Sequence, residues 1–361
     1  MNTRATFSSP ASETKDPSAH WAQPGLGRNW QQQFFYWLIR VGGKARGYHM
    51  SHIVTFGYVL LYPSIRRRCR FYLSRRFPDH KGWIRRFLDT YRLARTYGAA
   101  LVDMTVLEIF GSRAISATCP EHDRLIQLCA EPRGFVLLHA HVGSFQIGMS
   151  ALTQFPKRVS IVMIPETRAP MLLGPQSTGM IDPRAGLQGV IAMTDALLRG
   201  EIVTMMGDRI FGSDQNTVAV QFLGDPVLFP VTPYRLASAT GTPVLVMAAP
   251  KTSPNSYELR LLKVIEVPPN LGRNAQDYAP YAQQFADSIE QFTREFPWQY
   301  YNFYDLWRDA PSRIDCYGSA SGRWSLTPND SSFSTPQRVA HLTKMRLYFS
   351  PHNVIPAIKQ R

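Results

Sequence analysis

Several features that would announce a function are missing from this chain. Its four cysteines (Cys69, Cys119, Cys129 and Cys316) form no CxxC pair and no metal-ligand spacing, so they read as reduced thiols in a cytoplasmic setting. There is no Walker loop, no G-x-G-x-x-G fingerprint and no H-E-x-x-H helix, so no nucleotide cofactor and no metal is expected. Neither apolar run near the amino terminus, Phe34–Ile39 or Ile53–Ile65, reaches the ~18–20 residues that a transmembrane helix needs. Residues 1–29 lack the apolar core and cleavage site of a secretory signal and read as a disordered leader.

Acidic residues are scarce at one end only. Residues 1–100 hold 17 Lys+Arg against 4 Asp+Glu, whereas the remaining 261 residues hold 23 against 22. The net charge of +14 is therefore local and points to an anionic partner. The basic residues adjoin apolar and aromatic runs: Phe34–Ile39 leads into Arg40, Lys44 and Arg46, and Ile53–Ile65 into Arg66, Arg67, Arg68 and Arg70. Apolar segments abutting Arg clusters, with Trp and Tyr at their edges, suit anionic headgroups and acyl chains. A peripheral or monotopic attachment to an anionic membrane surface is expected. The bland alternative is a buried helical hairpin with a solvated basic face. No nucleic-acid signature accompanies the charge, so no nucleic-acid partner is expected.

The pattern predicts helix from Trp30 to Phe110 and a short helix over Glu121–Cys129. Beyond residue 130, buried strands (Phe135–Leu138, Val159–Ile164, Ile202–Met206, Val218–Phe222, Val244–Ala248, Tyr257–Val267) alternate with helices (Gly186–Leu198, Tyr234–Thr240, Tyr278–Phe296). Gly224-Asp225-Pro226 reads as a turn. This is an α/β fold, a mixed central sheet flanked by helices, behind a helical, basic, membrane-proximal amino-terminal segment. One domain over 30–309 is expected, helical over 30–110 and α/β over 130–309, with a mostly disordered tail over 310–361.

The most informative stretch is FVLLHAHVGSFQIG, Phe135–Gly148. A buried strand ends in His139-Ala140-His141, and Gly143 and Ser144 then break it. A histidine just past a strand end lies where α/β sheets present reactive groups, and imidazole is the usual general base at neutral pH. Satisfied strand-end histidines are the plainer alternative. Asp208 and Arg209 likewise follow a buried strand and should emerge at the same sheet edge, unless they only pair with each other. Arg209, Arg168 and Arg184 are candidate anion binders through the planar guanidinium fork; solvated loop arginines are the alternative for the last two. The aromatic run WQYYNFYDLW, Trp298–Trp307, is core packing or an acyl groove.

Three blocks then line up in order: HVGSFQ (141–146), MMGDRIFG with VAVQFLGDPVLFP (205–230), and YRLASATGTPV (234–244). With WQYYNFYDLW they resemble the lysophospholipid acyltransferase superfamily, and within it the bacterial lipid A late (lauroyl and myristoyl) acyltransferase branch, over roughly residues 30–307. The resemblance implies acyl transfer from a thioester of acyl carrier protein or coenzyme A, used as co-substrate with no further cofactor, to a hydroxyl or amine of a lipid-like acceptor at the cytoplasmic face of a bacterial inner membrane. The acceptor is a lipid A precursor, another lipid, or an aryl-polyene-like pigment intermediate.

Family members carry His-x4-Asp or His-x4-Glu. Here the histidine of that motif is His141, and Gln146 stands in the acidic position. An amide can orient the imidazole and fix its tautomer, but it supplies no countercharge. Three outcomes stay open: the branch works with Gln146, a carboxylate such as Asp208 approaches His141, or the chain binds acyl groups or carrier protein without turnover. The resemblance implies His141 as general base with Gln146 as its partner. Gly143, Ser144, Arg168, Arg184, Asp208 and Arg209 would bind substrate, the oxyanion being met by backbone N–H groups of Val142–Ser144. Ser144 lies in no G-x-S-x-G elbow and is not expected to be a nucleophile.

Overall fold

The computed structural model describes residues 29–152, 156–164, 178–210 and 216–308, with Ala310. The leader expected over 1–29 lies outside these except for Asn29, and the tail over 310–361 except for Ala310. Arg168 and Cys316 also lie outside them. Cys69, Cys119 and Cys129 are free thiols.

The helix expected over 30–110 is three helices: α1 (Asn29–Leu61), α2 (Pro63–Arg76) and α3 (Trp83–Phe110). Pro63 ends α1, because a proline ring disfavours helical backbone in the residue before it. Gly43, at φ 72°, kinks α1. α1 and α3 pack as a hairpin, through Ile39, Val102 and Val106 at one end and through Phe56 edge-on to Phe87 and Tyr91 at the other. α2 turns inward instead. Tyr72 Oη donates to Pro297 O, and Arg75 lies 4.0 Å above the Trp307 ring while pairing with Asp225 at 2.8 Å. No helix among the described residues is long and apolar enough to cross a membrane.

The remaining elements follow in chain order. β1 (Ser116–Thr118) and α4 (His122–Ala130) precede β2 (Phe135–His139), α5 (Phe145–Leu152), β3 (Val159–Val162) and β4 (Thr178–Ile181). Next come α6 (Leu187–Leu198), β5 (Ile202–Met206), β6 (Thr217–Phe222), β7 (Asp225–Pro230) and α7 (Thr232–Thr240). β8 (Val244–Ala248), β9 (Lys251–Ser253), β10 (Ser256–Glu258), β11 (Arg260–Ile265) and α8 (Ala279–Glu295) complete them.

Six strands form the central sheet in the order β11-β8-β2-β5-β3-β4. All neighbours are parallel except the antiparallel edge strand β11. β2 and β8 are buried at every residue, as strands covered on both faces must be. One face carries Val136, Leu138, Met193, Leu197, Tyr234, Phe285 and Ile289, packed with Tyr72 and Leu93. The other carries Phe135, Leu137, Leu125 and Met149. The structure is thus the mixed α/β sandwich read from the sequence.

Some boundaries differ. The turn placed at residues 224–226 is shorter: Leu223 (φ 52°) and Gly224 (φ 82°) make it, a two-residue loop with both φ positive, as tight hairpins require. Asp225 already begins β7, a strand not among those expected from the sequence; Pro226, a residue confined to sheet edges and strand starts, lies at its beginning. The strand expected over 257–267 is two strands broken at Leu259, because β10 belongs to a separate small sheet with β1 and β9.

Candidate active site

The site grows from the register of two adjacent strands. In β2 and β5, His139 pairs with Met206, and Gly207 N–H donates to His139 O at 2.8 Å, extending the ladder past the strand ends. Two residues on from the paired positions, at one level of the carboxyl edge, stand His141 and Asp208. Gly207 is confined to glycine by packing: a Cβ there would lie 2.8 Å from both Leu138 and Phe285. The two side chains then meet. His141 Nδ1 is 2.9 Å from Asp208 Oδ1 and 3.1 Å from Oδ2, and the His141 backbone N–H donates to Oδ2 at 2.9 Å.

The electrostatics follow from burial. Asp208 is fully buried, while His141 retains 18% side-chain exposure. Burial alone would raise the carboxyl pKa, but the charge and hydrogen bonds of His141, with the Arg209 charge, hold it below the ordinary carboxylate range. The carboxylate accepts Nδ1–H, which leaves the lone pair on Nε2, the tautomer that a base requires. A third group steadies the acid's backbone: Tyr304 Oη donates to Asp208 O at 3.0 Å. The Asp208 carboxylate is spent on His141 and not on a structural pair with Arg209.

Arg209 lies with its guanidinium 5.2 Å from the Tyr304 ring centroid, and its buried Nε has no hydrogen-bond partner among the described residues. Arg184 lies elsewhere. It follows β4, three strands from β2, a separation of about 14 Å at ~4.8 Å per strand. Its guanidinium is engaged with the Asp182 carboxylate at 2.8 Å. Gln146 is the second residue of α5, and Nδ1 of His141 faces Asp208 rather than its amide. Among the described residues no His/Cys/Asp/Glu group suited to a metal occurs.

The backbone amides of the turn are used differently from the expectation. Gly143 N–H donates to Gln299 O at 2.8 Å and Ser144 N–H to Ala249 O at 2.9 Å, so neither points to an oxyanion. Gly143 has φ 59°, and a Cβ would press into the Ala249 carbonyl, so this position excludes side chains twice over. Ser144 is buried, and its Oγ has no hydrogen-bond partner among the described residues.

His139 is a core residue. It is 4% exposed, and burial drives its pKa down to about 4, so it stays neutral. The aromatic run 298–307 is also largely core: Tyr300, Tyr301, Leu306 and Trp307 are buried. It nevertheless walls the site, because Tyr301 N–H donates to His141 O at 2.6 Å. Nothing local in the sequence ties residue 304 to residue 208 or residue 299 to residue 143, so neither Tyr304 nor Gln299 is legible there as a site residue.

A second surface feature lies on the amino-terminal helices. Trp30, Trp37, Val41, Leu60, Leu61, Trp83 and Ile84 are each more than half exposed, alongside the basic residues at 66–70 and 85–86. Apolar side chains of this size concentrated on one hairpin mark a contact surface.

No curated protein matches the chain. Among solved structures, the 1-acyl-sn-glycerophosphate (LPA) acyltransferase PlsC from Thermotoga maritima is similar over 70% of this chain and 98% of its own. The identity is 11% and the TM-score 0.34, a likeness too loose to carry weight. The sequence profile of the bacterial lipid A biosynthesis acyltransferases, by contrast, matches residues 25–309, which takes in every described element from α1 to α8. The chain belongs to the bacterial lipid A biosynthesis acyltransferase family.

Proposed function

We propose that this lipid acyltransferase transfers a fatty acyl group from a thioester of acyl carrier protein or coenzyme A to a hydroxyl or amine of a lipid A precursor or related lipid-like acceptor, with His141 as general base and Asp208 as its orienting carboxylate. The observation that carries the reading is the His141–Asp208 pair, which supplies the countercharge that Gln146 lacks. It favours an active enzyme over a non-catalytic acyl binder.

In this reading Nε2 of His141 takes the acceptor's proton as its oxygen or nitrogen attacks the thioester carbonyl. The imidazolium formed is stabilised by Asp208. The tetrahedral intermediate collapses, the C–S bond breaks, and the thiolate leaves with the proton from His141. No covalent enzyme intermediate is needed. Arg209, whose buried Nε has no partner among the described residues, suits an anionic group of either substrate. The exposed apolar residues and flanking arginines of α1–α3 would seat the protein on the anionic cytoplasmic face of a bacterial inner membrane, where a lipid acceptor is presented.

The test is a lipid and pigment mass-spectrometric profile of deletion cells expressing wild type or His141→Ala. An acylated species present with wild type and absent with the variant identifies the acceptor. Equal profiles that both restore the deletion phenotype would refute the mechanism and favour the binder.

A further inference from the structure

The turn that carries His141 is gripped from two sides. On one side, Gly143 N–H donates to Gln299 O at 2.8 Å and Tyr301 N–H to His141 O at 2.6 Å. On the other, Ser144 N–H donates to Ala249 O at 2.9 Å. The segments 299–301 and 249–251 are thus the two walls of the turn, and one side chain fastens them together. Gln299 Oε1 accepts Lys251 N–H at 2.8 Å and Gln299 Nε2 donates to Lys251 O at 2.9 Å. A primary amide satisfying both backbone groups of one residue replaces a ladder pair that the chain itself does not make.

Lys251 carries the connection outward. Its ammonium pairs with Asp103 of α3, a fully buried carboxylate also bound by Tyr48 Oη of α1, by Tyr257 Oη at 2.6 Å, and by Lys44 of α1 at 3.1 Å. A buried charge so fully partnered holds its neighbours rigidly, because losing any partner leaves an uncompensated group.

We propose that Gln299 is a positioning residue for His141, a splint that fixes the two walls of the His141 turn to each other and, through Lys251 and Asp103, to the amino-terminal helices. The role rests on His141 being the base. Without the splint the Lys251 peptide loses both partners, the walls separate, and the imidazole shifts relative to Asp208. A displacement of ~1 Å at a reacting group costs on the order of 100-fold in rate.

The full chain would be examined as wild type, as Gln299→Met, which keeps length without hydrogen bonds, and as Gln299→Glu, which keeps only the acceptor. Four quantities are read: kcat and KM for acyl transfer on lipid vesicles, Tm, and the low-field Nδ1–H resonance of His141 in protein labelled with nitrogen-15 histidine. That resonance is assigned by its loss in Asp208→Asn. The expected result for Gln299→Met is a kcat lowered about 10–100-fold, a KM unchanged within about threefold, and a weakened, shifted resonance. Gln299→Glu should fall between, and it carries the comparison if Gln299→Met does not fold. An unshifted resonance, or a kcat within about twofold of wild type, overturns the proposal. A wild type that transfers no acyl group overturns the functional reading instead, and the resonance then decides the splint by itself.

Discussion

In the proposed mechanism, replacing Asp208 by asparagine should disable His141 as base by reversing its tautomer. Asp208 receives two N–H groups from His141, the backbone amide on Oδ2 at 2.9 Å and Nδ1 on Oδ1 at 2.9 Å. An asparagine has one acceptor oxygen. The backbone N–H cannot change its polarity, so the amide oxygen goes to it and the NH2 group faces Nδ1. The imidazole then accepts at Nδ1 and carries its proton on Nε2, where the acceptor's proton should go. A wrong tautomer at such a dyad costs about 10³–10⁴ in kcat, by analogy with the serine protease triad. The swap is isosteric, so stability should fall by only about 1–3 kcal/mol. Gln146→Ala should stay within about threefold of wild type, because the amide does not hold the imidazole. The assay is thiol release from an acyl thioester with acceptor lipid in vesicles, alongside Tm. Activity of Asp208→Asn within tenfold of wild type, or a Gln146→Ala loss as large as that of Asp208→Asn, would refute the assignment.

Other outcomes follow from the same geometry. The buried, neutral His139 has a folded pKa of about 4 against an ordinary value near 6.5, so its contribution is complete above 6.5 and is lost as pH falls toward 4. The loss amounts to about 3 kcal/mol, and urea unfolding at pH 7.5 and 4.5 should show it in wild type and a flatter dependence in His139→Leu. Gly143→Ala combines a positive φ with a clash on the Ala249 carbonyl and should cost at least ~2 kcal/mol and most of the activity; wild-type Tm and rate would contradict the account of the turn. Leu61→Glu with Trp83→Glu should lower partitioning onto anionic vesicles at least ~10-fold in flotation, since each buried large apolar side chain is worth about 1.5–3 kcal/mol. Unchanged partitioning would move the contact surface off the helical hairpin.

The sequence by itself settled what depends on local pattern. Apolar runs bounded by glycine and proline marked the buried strands, the charge imbalance marked the helical end, and the blocks at 141–146, 205–230 and 234–244 marked the family. It also narrowed the chemistry to a histidine beyond a strand end with a missing acid. Which carboxylate reaches that histidine depended on strand order, and nothing local encodes the fact that β5 lies beside β2 with Met206 opposite His139. Only that register brings Asp208, 67 residues away, into hydrogen bonds with His141. Tertiary structure likewise spent the Gly143 and Ser144 amides on residues 299 and 249 and engaged Arg184 with Asp182 far from the dyad. A side chain's reach is a few ångströms, so motif spacing decides partners only within one turn or strand. Beyond that, the sheet decides.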